Sequence, residues 1–149
     1  MAKLDVLTYG FGLATDQGSV GYSTNSLLRV GNHNILIDTG PSSRRPFLVK
    51  SLKAQGLETD DIDIVILTHM HWDHCQNTDL FTNARVLVNP TEIDYARSPN
   101  KWDLAVAAGM ADMMRNMKVE SVSEGDTIVE GVSIIETPGH TKGHMSILV

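Results

Sequence analysis

His69, His71, Asp73 and His74 lie in the stretch "THMHWDHCQN", directly after the apolar run "IDIVIL", and half of the chain's 6 histidines are gathered there. In an extended or turning backbone, side chains two residues apart point the same way, so His69 and His71 can close on one cation. Asp73 and His74 are then placed to serve a neighbouring point. Neutral imidazoles with a carboxylate suit zinc, with iron or manganese as alternatives. A third ligand to the first ion has to come from a distant loop, and His140 in "TPGHT" is the natural candidate. Pro138 and Gly139 before it make a tight, stiff turn that fixes where the imidazole points. Packing alone explains such a cluster poorly, because burying so many titratable groups without an ion is costly. His33, in a turn between strands, reads as a surface residue. His144 follows His140 by four without an obvious helix, and its ligation stays open.

The elements that must position these residues can be read coarsely. Strands are expected at residues 4–9, 26–30 and 34–38, the last two joined at the turn signal "GNHN". Residues 10–25, rich in Gly, Ser and Thr, read as a long loop, either functional or disordered. Residues 45–55 carry helical apolar spacing and stop at Gly56. "IDIVILT" is apolar nearly throughout, as an interior strand covered on both faces would be. A short strand "ARVLVN" follows, then a helix opened by Pro90 and Thr91. A longer helix is expected over residues 103–117, with Met110, Met113, Met114 and Met117 on one face as core filling. Three strands, 119–122, 127–129 and 132–136, precede "TPGHTKGH" and a last strand "MSILV".

At 149 residues, 42% hydrophobic and 20% charged, the chain has the composition of one soluble domain spanning 1–149. A net charge of -6 without a Lys/Arg cluster argues against nucleic acid as a partner. No stretch approaches the ~20 apolar residues of a membrane span, so a cytoplasmic protein with a small-molecule substrate is expected. Cys75 is the single cysteine, which rules out an internal disulfide. "MSILV" ends the chain with no turn, cap or polar tail, so the domain reads as incomplete at its C-terminus. Its apolar edge is a candidate for pairing with a second copy.

"HMHWDH" matches His-x-His-x-Asp-His; with "ILIDTG" upstream and "TPGHTKGH" downstream it resembles the metallo-beta-lactamase superfamily of metal-dependent hydrolases. The stretches "TNARVLVNPTEIDYARSP" and "EGDTIVEGVSIIETPGHTKGH" are similar to the acyl-homoserine lactonase branch. The resemblance implies an α/β fold, the αββα sandwich, of which this chain carries the N-terminal portion. It implies that His69, His71 and His140 hold a first metal and Asp73 and His74 a second, with Asp38 of "ILIDTG" bracing the ligand loops. An ordinary turn aspartate is the competing reading of Asp38. The bridging aspartate and final histidine of the family pattern lie downstream of "TPGHT" and are absent here. Where the family has glycine after the motif, this chain has Cys75 and Gln76, and Cys75 reads as small buried filler.

The implied activity is attack of metal-activated water on an ester, lactone or thioester carbonyl, with Asp73 as the catalytic residue that shuttles a proton. Trp72 either anchors the ligand loop in the core or, with the loop at 10–21, shapes the pocket. Two rival readings remain: a metal-binding module without turnover that another chain completes, and a phosphodiesterase or nuclease of the same superfamily.

Overall fold

The computed structural model describes residues 1–107 and 109–149. The larger sheet is built from β1 (Lys3–Thr8), β4 (Asn25–Val30), β5 (His33–Ile37), β6 (Ile64–Ile66), β7 (Arg85–Val88) and β8 (Lys118–Ser121), side by side in that order. β1, β4 and β5 pair antiparallel, and β5 through β8 run parallel. Parallel neighbours require crossovers. These carry α1 (Arg45–Ala54), the single-turn α2 (Trp72–Cys75), α3 (Pro90–Arg97) and the short α4 (Met110–Met113). A smaller antiparallel sheet holds β9 (Thr127–Val129), β10 (Val132–Glu136) and β11 (Met145–Leu148), with β10 in the centre.

Alternation along the central strands sorts the core into two sides. Leu27, Leu36, Val65, Val86 and Val88 pack with Leu48 and Leu52 of α1 and with Met110 and Met114. Leu28, Ile35, Ile64, Ile66 and Leu87 face Val132, Ile134 and Met145 of the smaller sheet. Helices, large sheet and small sheet therefore stack as three layers, giving the α/β architecture expected. The apolar run around β6 is buried on both faces, as its composition requires. The parallel strands end at one edge of the sheet, the edge where open α/β sheets bind ligands. "THMHWDH" leaves β6 at that edge.

Two expectations are corrected. Residues 10–25 contain a β-hairpin, β2 (Phe11–Thr15) on β3 (Gly18–Tyr22), in place of a loop. Phe11 and Leu13 lie opposite Tyr22 and Val20, and the turn closes at Gly18 with φ 133°, a backbone that suits glycine. The expected helix over 103–117 is reduced to α4 and a 3-10 turn, Met114–Asn116; Ala108 lies outside the described residues. Its first part turns at Leu104 and Ala105 and pairs with the histidine loop instead: Val106 bridges His71, Trp72 N–H donates to Ala105 O at 2.7 Å, and Ala107 N–H donates to Met70 O at 3.3 Å. Gly109, at φ 74°, blocks helix propagation from that side. The methionine face is buried only in part, since Met110 and Met114 are 3% exposed and Met113 is 47% exposed. Among the described residues, no helix is long and apolar enough to cross a membrane.

Candidate metal centre

β6 brings the motif into place. Asp38 follows β5 and takes φ 57°, left-handed for a non-glycine residue, a strain on the order of 1 kcal/mol. Its backbone N–H donates to Ile66 O at 2.9 Å, and its carboxylate accepts from Thr68 N–H at 2.8 Å. Thr68 Oγ1–H donates to Asp38 Oδ2 at 2.9 Å, and His74 Nδ1–H donates to the same oxygen at 2.7 Å. Asp38 therefore braces the loop as the family resemblance implied, beyond what an ordinary turn aspartate does. Behind it, Thr39 and Gly40 N–H both donate to His74 O, and Asn77 Nδ2 donates to Thr39 O, Gly40 O and Pro41 O. Ser23 Oγ donates to Asp73 O at 2.6 Å, tying β3's exit to α2.

These bonds assign the imidazole lone pairs. Because Thr68 Oγ1 spends its proton on Asp38, it accepts from His69 Nδ1–H at 3.0 Å, which leaves His69 Nε2 as the bare nitrogen. That atom is buried and has no hydrogen-bond partner among the described residues. His71 Nε2–H donates to Asp103 Oδ2 at 3.3 Å, leaving Nδ1 as its lone pair. Asp103 accepts a second bond from the Tyr95 hydroxyl at 2.6 Å. Burial alone would raise the Asp103 pKa, but the bonds from Tyr95 and His71 outweigh it and hold it below the usual carboxylate range.

His140 arrives from the β10–β11 connection. The rings of His69, His71 and His140 form a nearly regular triangle, with centroids 4.6, 4.8 and 4.6 Å apart and planes close to perpendicular. One ligand atom from each lies within 4.8 Å of the others. Burial, with the neighbouring histidines acting in the same direction, pushes the His69 pKa down to about 2. Burial and His71 lower that of His140 as well. These imidazoles are thus deprotonated at neutral pH, the form that binds a metal. An orphaned buried nitrogen inside a triangle of imidazoles fits a divalent ion bound by three histidines.

Asp73 and His74 lie beside this triangle, outside the group of three. The His74 ring is 3.9 Å from that of His69, and its Nε2 is 3.6 Å from Asp73 Oδ2. Burial pulls the His74 pKa down, but the Asp38 hydrogen bond and charge, with the Asp73 charge, reverse this and raise it. His144 turns Nδ1 to Thr137 Oγ1 at 2.8 Å, with its ring 5.1 Å from that of His69, and His33 is exposed. Cys75 is fully buried and its thiol is pushed up to about 12, chiefly by burial, so it acts as filler. Trp72 packs against the helix-side core, which supports its anchoring role. Asp103 and Tyr95 escaped the sequence reading, because no spacing links either to His71 and their approach to it depends on the way the segment around Val106 pairs with the histidine loop.

Comparison with known proteins agrees with this geometry. Residues 18–149 match the model of the metallo-beta-lactamase superfamily. A probable metallo-hydrolase of Methanocaldococcus jannaschii is 33% identical over 133 residues, 86% of this chain and 63% of that one. An N-acyl homoserine lactonase of Bacillus thuringiensis is 32% identical over 103 residues, 68% of this chain and 38% of that one. The chain thus spans less than two thirds of the length of these relatives. Among solved structures, a metallo-beta-lactamase-like protein of Thermotoga maritima superposes with a TM-score of 0.81 at 25% identity, covering 99% of this chain and 72% of its own. A variant of the Bacillus thuringiensis protein AiiA, solved with N-decanoyl-L-homoserine at its active site, gives 0.77 at 23% identity over 98% of this chain and 68% of that one. From the motif, the layered fold and a family match that spans most of its length, this chain belongs to the metallo-beta-lactamase superfamily.

Proposed function

We propose that the chain carries the metal-holding part of a hydrolase acting on the ester, lactone or thioester carbonyl of a small molecule, with zinc as the first candidate metal and iron or manganese as alternatives. One observation carries the reading: the buried, unpartnered Nε2 of His69 facing the imidazoles of His71 and His140. Bound by these three residues, a divalent ion supplies Lewis acidity toward a carbonyl oxygen and lowers the pKa of water. The protein's own part is to aim the imidazoles, through Thr68 and Asp38 for His69 and through Asp103 for His71. Asp73, placed against His74 Nε2, is the proposed proton carrier: Oδ2 takes a proton from the attacking water and returns it to the leaving oxygen or sulfur. Asp73 and His74 are also the proposed protein ligands of a second ion. The similarity to an N-acyl homoserine lactonase favours lactones within this substrate class.

Zinc titration of metal-free protein tests the reading. The parent is expected to take up zinc stoichiometrically, and the double variant His69→Ala, His71→Ala to lose that uptake. Uptake that survives the double variant contradicts the site. A metal-binding module without turnover, completed by another chain along β11, an edge strand of the small sheet, predicts no hydrolysis by the isolated monomer. A nuclease reading requires oligonucleotide binding at low salt, against which stands the net charge of -6.

A further inference from the structure

His69 and His71 leave the end of β6 in the large sheet, whereas His140 comes from a loop of the small sheet, so the two ligand loops belong to different layers. One backbone bond ties the layers here, Met145 N–H to Thr68 O at 3.0 Å. The second tie is a side chain. Glu92, in the first turn of α3, is fully buried. Its Oε1 accepts from Met70 N–H, between His69 and His71, at 2.9 Å, and its Oε2 accepts from Gly143 N–H, three residues after His140, also at 2.9 Å. A single carboxyl group thus spans both ligand loops.

The loops are packed tightly onto this group. A Cβ at Gly143 would lie 2.3 Å from Glu92 N and 2.7 Å from Glu92 Cβ, so only glycine lets the His140 loop lie flat on α3. α3 is itself fixed to the strand that delivers that loop: Asn89 caps it by accepting from Thr91 N–H at 2.8 Å and donates Nδ2–H to Glu136 Oε1 on β10 at 2.8 Å. Burying a carboxyl group is costly unless both oxygens are satisfied, and here each is satisfied by the backbone of a different ligand loop.

We propose that Glu92 is a positioning residue for the metal centre, setting the distance between the His69/His71 loop and the His140 loop. The proposal rests on the three-histidine metal reading above. Glutamine at this position fills the same volume but has one acceptor oxygen, and its NH2 group faces an N–H donor, so one of the two loops is released. Loss of such an orienting partner lowers metal affinity by roughly 10- to 100-fold.

The test is the zinc dissociation constant, measured by competition with a chromophoric chelator, alongside the thermal melt of the metal-free protein. Glu92→Gln is expected to weaken zinc binding by roughly 10- to 100-fold while remaining folded. Asp94→Asn, on the exposed side of the same helix, is expected to match the parent. Should Glu92→Gln fail to fold, Gly143→Ala, which displaces the same contact from the other side, is measured in its place with the same expectation. A purely structural role lowers the melting temperature and leaves the dissociation constant within twofold of the parent; that result overturns the proposal and spares the metal reading. Absence of zinc uptake by the parent overturns both.

Discussion

The histidine motif, with His140, presents two groups of side chains that differ in proton affinity, the two halves of the proposed site. In the first half, His69 and His140 have lowered proton affinity, and His69 presents a buried nitrogen without a hydrogen-bond partner among the described residues. In the second half, His74 is held 2.7 Å from Asp38 and faces Asp73, and its proton affinity is raised. Burial acts against protonation in both, so the neighbours decide: other imidazoles around His69, carboxylates around His74. The two halves of the proposed site, which share the six residues from His69 to His74 and take His140 from a distant loop, are thereby separated chemically. At His69 a proton competes little with an ion, whereas at His74 the raised proton affinity favours the proton over an ion.

The largest expected effect strikes the first half alone. Asp103→Asn weakens the charge-assisted hold on His71 and should cost roughly 10- to 100-fold in affinity for the first zinc equivalent, read by chelator competition. Equal weakening of both equivalents would erase the distinction.

Acid comes next. The folded pKa of His69, about 2, lies below its unfolded value of 6.5, so between these values the unfolded chain binds the extra proton and stability falls as pH falls. From pH 6.5 to 5.0 the metal-free protein should lose up to about 1.5 kcal/mol through His69, with His140 acting in the same direction. His74 acts oppositely: its raised pKa contributes stability below its unfolded value that is lost as pH rises through the folded one. Urea denaturation at the two pH values measures the sum, and His74→Ala should steepen the loss in acid.

The smallest effect on the first half should come from the second half's own brace. Asp38→Asn keeps a residue that tolerates the left-handed backbone but removes the charge. The His74 pKa, followed by NMR titration, should drop, while the first-equivalent affinity shifts by less than about tenfold, below the loss expected when a direct ligand partner is changed. A larger loss would mean that the Asp38–Thr68–His69 chain, and not Asp103, dominates the first half.

Much of this comparison could be read from the residues themselves. The apolar run before Thr68 announces a buried strand, and alternation places His69 and His71 together. "TPGHT" after a strand marks His140. The acid and base character of the two halves was hidden, because it depends on Asp38, 36 residues from His74, and on Asp103, 32 residues from His71. The helix expected over 103–117 failed for the same reason: strand-like pairing with His71 and Trp72 overrides local helical spacing. The hairpin β2–β3 was obscured by its glycines, which read as loop although Phe11, Leu13, Val20 and Tyr22 alternate correctly. Glu92 lies in a stretch similar to the lactonase branch, but nothing in the sequence pairs it with Met70 and Gly143, which only the fold brings to it.

The central claim is that imidazoles from two layers share one ion. X-ray absorption at the zinc edge, on protein loaded with a single equivalent, tests this most directly. The account predicts a shell with three imidazole nitrogens that loses one when His140 is replaced by alanine. A shell of carboxylate oxygens, or one unchanged in His140→Ala, would contradict it.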